Sequence, residues 1–302
     1  MSKLRQVTAG GFLLAFLVLP AAVFGQTPRD FVGNLDVRCY KIQPPQPPLN
    51  VTLRLDHLNP YFVQLGLPFE IVNVQEPQDL CVPVYKENVV PPPSVLPFLK
   101  YVDWKCYGIS GPSLDLPLHL DQLNPVIANL IGPSDDVIVR EPQQLCVPVQ
   151  KNNVAPPPSV LPLISNLDVK CYRVDSHADP SGKQVKLTHL NPLFSTLPPE
   201  VVTFLPPPNP VQLCVPVTKN KVQPPPDVLP FIQYSDVLCY NIDGMPLNRT
   251  LTLTHLNPVL IQMGLPPETV KVTTSDKLCV PVAKNGNFPP ATTGTPVSTA
   301  TP

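Results

Sequence analysis

One ordered pattern, repeated four times, constrains this chain more than any other feature. Cys-Tyr stands at Cys39-Tyr40, Cys106-Tyr107, Cys171-Tyr172 and Cys239-Tyr240, at steps of 67, 65 and 68 residues. Leu-Asn-Pro follows each time, at 58–60, 123–125, 190–192 and 256–258. Leu-Cys-Val-Pro-Val closes each unit, at 80–84, 145–149, 213–217 and 278–282. Three anchors in one order, four times over, mark tandem units. The units run over 26–93, 94–158, 159–226 and 227–290.

Each unit reads as mainly β with short helices. Around Cys39 the run Asp36, Val37, Arg38, Cys39, Tyr40, Lys41, Ile42 is rich in β-favouring side chains and predicts a strand. Val51, Leu53 and Leu55 alternate with Thr52, Arg54 and Asp56, the period of a strand with one buried face. Leu-Asn-Pro predicts a helix start, with Asn59 as the cap and Pro60 at the first helical position. Gly66, Gly132 and Gly264 supply its stop. A further strand is expected at 70–74 and its counterparts. Pro83 lacks an N–H for a ladder, so the Cys81 segment is expected at a sheet edge or bulge. The fold class expected is therefore four tandem, small, disulfide-stapled β-rich repeats.

Three junctions carry three consecutive prolines followed by Ser or Asp and Val-Leu-Pro, at 91–97, 156–162 and 224–230. Three prolines favour an extended, semi-rigid spacer, and the Ser or Asp is expected to cap a short turn. Proline reaches 46 of 302 residues, about three times its usual share. Hydrophobic residues nevertheless make up 43% and mean hydropathy is +0.08, which sets aside collagen-like and fully disordered chains. A formal charge of −1 excludes a broad nucleic-acid surface.

At the N-terminus Lys3 and Arg5 precede an apolar run over 10–19 and then small residues, the order of a secretory signal peptide cut after Gly25. That run is too short for the ~20 residues a bilayer crossing takes, and no other segment approaches that length. The chain is expected to be exported, to the extracellular space or to a periplasm or cell envelope, with no transmembrane span once matured. The Thr- and Pro-rich tail at 291–302 is expected to be disordered.

Eight cysteines in an exported chain point to disulfides. Pairing within units uses every thiol: Cys39 with Cys81, Cys106 with Cys146, Cys171 with Cys214, and Cys239 with Cys279. Pairing across junctions leaves Cys39 and Cys279 alone. Each within-unit bridge closes some 40 residues and contributes about 4 kcal/mol in the chain-entropy model, a large share for a ~65-residue unit. The alternative, a zinc site, lacks any close C-x2-C pair, so no metal and no cofactor are expected.

Candidate chemistry is sparse. His57, His189 and His255 stand just before Leu-Asn-Pro, but Gln122 replaces them in the second unit. Glutamine keeps a hydrogen bond and loses a base, so the position is expected to help the turn into the helix. His119 and His177 complete the histidines. Asp56 and Asp121 precede this position, whereas Thr188 and Thr254 replace them elsewhere, so no Asp-His dyad is general. No nucleophile elbow, H-E-x-x-H helix or phosphate-binding loop is present. No catalytic residue is assigned, and the chain is expected not to be an enzyme. The tyrosines beside Cys39, Cys106, Cys171 and Cys239 are expected to pack on their own disulfides, and Trp104 to share the inward face of Cys106. Asn50 and Asn248 head Asn-Xaa-Thr sequons.

The string at 39–42, the run at 55–58, the segment at 80–86 and the Lys-Asn pairs Lys151-Asn152, Lys219-Asn220 and Lys284-Asn285 resemble a family of tandem domains in secreted bacterial proteins. The resemblance spans 34–286 and implies bacterial export and disulfides, with no activity to carry over. Leu-Asn-Pro and the triple prolines depart from its pattern. The functional expectation is a secreted or envelope structural or interaction protein whose partner is a protein or surface polymer. An extracellular ligand-binding protein, with a pocket in every unit and glycans among its candidate ligands, is the alternative. A hydrolase with one specialised copy stands third.

Overall fold

A computed structural model describes residues 26–292. The expected signal peptide, and the tail from residue 293, lie outside the described residues. The first copy contains α1 (Pro28–Val32), β1 (Val37–Ile42), β2 (Val51–His57), α2 (Pro60–Gln64), β3 (Glu70–Val74) and β4 (Pro77–Lys86). The second contains α3 (Leu96–Leu99), β5 (Trp104–Gly108), β6 (Leu116–Gln122), α4 (Pro125–Ile131) and β7 (Ser134–Lys151). The third has α5 (Leu161–Ile164), β8 (Val169–Ser176), β9 (Gln184–His189), a 3-10 turn at Pro192–Phe194, β10 (Glu200–Phe204) and β11 (Gln212–Lys219). The fourth has α6 (Leu229–Ile232), β12 (Val237–Asp243), β13 (Arg249–His255), α7 (Pro258–Gln262) and β14 (Glu268–Lys284). The protein is mainly β with short helices.

The Cys-Tyr strand and the Leu-Cys-Val-Pro-Val strand of each copy pair antiparallel, and each also pairs with the neighbouring copy. Pairing runs β1 to β4, β5, β7, β8, β11, β12 and β14, and β14 pairs back onto β1. Eight antiparallel strands thus close into a barrel, which removes the exposed edges an open sheet presents. Side chains alternate across these strands. Val37 and Cys39, with Trp104 and Cys106, join one core shared by all four copies. Trp104 is 2% exposed and donates from Nε1 to the Leu167 carbonyl of the next copy at 2.8 Å.

The remaining strands form four hairpins that cover the barrel from outside. Leu53, Leu55, Val72 and Val74 of copy one pack on Tyr107, Leu145 and Val147 of copy two. Leu251, Leu253, Val270 and Val272 of copy four pack on Tyr40, Leu80 and Val82 of copy one. The hairpins of copies two and three share one cluster with Tyr172, Val215, Tyr240 and Val280. Each hairpin also extends the strand of the copy after next: His57 stands opposite Val217, Gln122 opposite Val282, His189 opposite Val84 and His255 opposite Val149. Asn220, Asn285 and Asn152 lock this joint, each accepting on Oδ1 from a hairpin backbone N–H while adopting a positive φ. The Lys-Asn pairs of the sequence therefore serve an inter-copy joint.

Two local expectations need correction. Pro83 is not at a sheet edge. It stands opposite Val37 at the end of the barrel ladder, where β4 passes to its pairing with β9. Its carbonyl accepts from the Leu190 N–H at 2.9 Å, so the missing donor falls between two ladders and costs little. Pro148, Pro216 and Pro281 repeat this with Leu256, Leu58 and Leu123. The triple prolines lead straight into the short helices α3, α5 and α6, which carry no side-chain cap. Their Val95, Phe98, Leu99, Val160, Leu163, Ile164 and Ile232 close the shared core. The Leu-Asn-Pro helices start as expected, with Asn59, Asn124, Asn191 and Asn257 each accepting a backbone N–H two residues on.

The two ends of the described residues meet where a fourth junction would stand. The Arg29 N–H donates to the Pro290 carbonyl at 3.0 Å, and the Arg29 side chain donates to the Pro289 carbonyl at 3.3 Å. With the pairing of β14 onto β1, these contacts join copy four to copy one.

Candidate functional site

The polar groups that recur in all four copies are inside the protein. Disulfides join Cys39 to Cys81, Cys106 to Cys146, Cys171 to Cys214 and Cys239 to Cys279. Bonded pairs stand directly opposite one another on adjacent strands. All eight cysteines are at most 3% exposed and converge in the barrel. Across copies, Cys81 and Cys106 have sulfurs 3.8 Å apart, Cys146 and Cys171 3.8 Å, Cys214 and Cys239 3.7 Å, and Cys279 and Cys39 3.9 Å. The sulfurs therefore form one ring of alternating bonds and van der Waals contacts.

Below each Cys-Tyr strand stands a buried ion pair: Asp36 with Lys86, Asp103 with Lys151, Asp168 with Lys219 and Asp236 with Lys284. The capping Asn of the following copy donates its amide to the same carboxylate, as Asn257 does to Asp168 and Asn59 to Asp236, both at 2.5 Å. Burial opposes charge on both partners, raising each carboxyl and lowering each amine against their mutual attraction. It pushes Asp236 up to about 6.

The histidines before Leu-Asn-Pro do not serve the turn. His57 Nε2 lies 3.2 Å from the Tyr172 hydroxyl, His189 Nε2 3.0 Å from that of Tyr40, and His255 Nε2 3.1 Å from that of Tyr107. Each tyrosine thus meets the histidine of the copy after next, on the strand face opposite its own disulfide, because adjacent residues alternate sides. A Glu and a cation complete each network: Glu70 with Lys170, Glu268 with Lys105 and Glu200 with Arg38. Burial, then the nearby Lys or Arg charge, brings His57, His189 and His255 down to about 3, so they are neutral. Burial also holds the tyrosine hydroxyls well above their ordinary range. A weak base beside a firmly protonated phenol makes a hydrogen-bonded strut. The fourth network is exchanged as a set: Gln122 donates to the Tyr240 hydroxyl at 2.9 Å, Leu238 replaces the cation, and Asp135 replaces the Glu. Without a cation, burial first of all raises the Asp135 carboxyl.

Above the sulfur ring the barrel interior turns polar. Asp79, fully buried, accepts from Gln144 at 2.7 Å and pairs with Lys277 at 2.9 Å and Lys41 at 3.1 Å. Burial pushes this carboxyl up, but Lys277, Lys41 and the hydrogen bonds from Lys277 and Gln144 outweigh it and bring it to about 2. Gly108 faces the same layer, where a Cβ would lie 2.8 Å from the Gln78 amide nitrogen. A carboxyl depressed on folding contributes stability that is complete above its unfolded value near 3.8 and is lost as pH falls through 2. Wild type is therefore expected to lose about 2 kcal/mol more than Asp79→Asn between pH 5 and 2. Urea denaturation across that range measures the difference, and parallel curves would refute it.

A cavity of about 700 Å³ opens where copies one, two and four meet, among α1, Tyr85, Val89, Val126 and Phe288. The corresponding depression of copy three, at Asp168, Lys219 and Asn257, holds about 10 Å³. The pocket is thus not the same in every copy. His119 is exposed and bonded to Asp136 at 2.7 Å, which raises its pKa. Asn50 and Asn248 lie exposed at equivalent loop positions. Among the described residues no cluster of three or more His, Cys, Asp or Glu is arranged to hold a metal ion, and no helix is long and apolar enough to cross a membrane. Four disulfides fit an oxidising compartment. No family model, curated protein or solved structure matches the chain.

Proposed function

We propose that this chain is an exported, non-enzymatic structural or interaction protein, acting outside the cell or in its envelope. One observation supports this reading above others. The ionisable side chains that recur through the copies are spent on one another in buried pairs and struts, which leaves them no substrate to meet. At the surface, Val89, Val154 and Val222 occupy equivalent junction positions in three copies and are 55%, 40% and 46% exposed, with Asn287 at that position in the fourth. Several weak apolar contacts on one rigid body combine through effective concentration.

The mature chain, immobilised and incubated with the extracellular and envelope fraction of its source, is expected to retain a defined protein or polymer. A Val89→Asp/Val154→Asp/Val222→Asp variant is expected to lose at least about tenfold of that retention, since three apolar contacts are removed together. Equal retention by the variant, or turnover of a hydrolase substrate that disappears in His57→Gln/His255→Gln, would overturn the reading.

A further inference from the structure

We propose that the eight cysteines form a single thiol–disulfide exchange site in which pairing can move around the barrel. Every cysteine has two cysteine neighbours, one bonded within its copy and one in contact across the copy boundary. The contacts of 3.7–3.9 Å leave no atom between the sulfurs. The inter-copy sulfurs reach each other diagonally, since Cys81 stands opposite Trp104 and Cys106 opposite Asp79. The ring is closed, with Cys279 touching Cys39. A reaction begun at any bridge can therefore reach every other.

The step needs a thiolate to start it, supplied by a dithiol reductant that opens one bridge and leaves as its own cyclic disulfide. Once Cys39–Cys81 is open, the Cys81 thiolate attacks Cys106 Sγ. A Cys81–Cys106 bond forms, the Cys106–Cys146 bond breaks, and its electron pair leaves on Cys146. Cys146 repeats the step on Cys171, releasing Cys214, which in turn attacks Cys239 and releases Cys279. The opening reduction takes four disulfides to three, and each exchange step then keeps that number. The two thiols end on Cys39 and Cys279, at the first and last copies, and each new bond links neighbouring copies. A thiol that starts on Cys81 visits only the Leu-Cys positions, because each of its attacks falls on a Cys-Tyr sulfur, whereas one that starts on Cys39 attacks Cys279 and visits the Cys-Tyr positions.

That alternation makes a sharp test. In the full mature chain carrying Cys39→Ser, the unpaired thiol starts on Cys81. After incubation at mildly alkaline pH, acid quenching, unfolding and maleimide labelling, the label is expected on Cys81, Cys146, Cys214 and Cys279, with at least about a tenth of it beyond Cys81. It is expected to be absent from Cys106, Cys171 and Cys239. Label on Cys81 alone overturns the proposal, as does label spread over both sets, which marks random scrambling. Wild type treated with substoichiometric dithiothreitol gives an independent reading if the variant does not fold. Cys81–Cys106 and its counterparts are then expected among the non-reduced peptides, and labelled thiols drawn only from single intact-copy pairs would refute the exchange.

Discussion

A single copy cut from the chain, residues 159–226 with Cys171 and Cys214 oxidised, is expected to remain unfolded. Its hairpin buries Val185, Leu187, Val202 and Phe204 in a cluster completed by Tyr240, Leu278 and Val280 of the next copy. Its His189 end pairs with Val84 of the first copy, and its Cys-Tyr strand pairs with β7 of the second. Each of those four side chains forfeits about 1.5–3 kcal/mol when its cover is removed. That sum exceeds the about 4 kcal/mol its disulfide contributes. Far-UV circular dichroism and amide chemical-shift dispersion measure the outcome, and a dispersed spectrum with cooperative melting would contradict it. A circular permutant that joins Pro290 to Gln26 and opens before Ser94 is the control. It keeps the contacts between copies and is expected to fold, because the segments to be joined already meet at Arg29 and Pro290.

Asp168→Ala is expected to cost about 3–5 kcal/mol, because it strands the fully buried ammonium of Lys219. It also removes the acceptor of the Asn257 amide, which belongs to the next copy, so the loss spreads across a copy boundary. The double variant Asp168→Ala/Lys219→Met is expected to recover most of that cost, since it removes both charges together. Urea denaturation of the two single variants and the double variant gives the coupling. Additive losses would show that the pair does not act as a unit. Equivalent substitutions at Asp103 with Lys151 are expected to behave alike, as the same three groups meet there with Asn191.

Much of the local structure is legible in the residues themselves. The strands at Cys39 and Val51, the Asn59 cap with Pro60 after it, and the inward phase of Trp104 all follow from alternation and capping chemistry. Such features depend on neighbours a few positions away. The tyrosine networks were beyond that reach. Arg38, Lys105 and Lys170 carry a cation where copy four has Leu238, and copy two has Gln122 where the others have His57, His189 and His255. Two unlike exceptions fall in two different copies. They become one exception only when copy two is known to sit against copy four, as Gln122 does against Tyr240.

The repeat pattern, the β class and the position of every cysteine are properties of the sequence, because periodicity and side-chain type act along the chain. Which copy covers which was settled by tertiary structure alone. A hairpin with one apolar face can be buried equally well by its own strands or by those of a similar neighbour, and copies that share the same apolar pattern carry no local mark to tell these apart. Closing eight strands into a barrel decides it: the hairpins lie over the next copy and pair with the one beyond, and eight separate sulfurs are drawn into one ring.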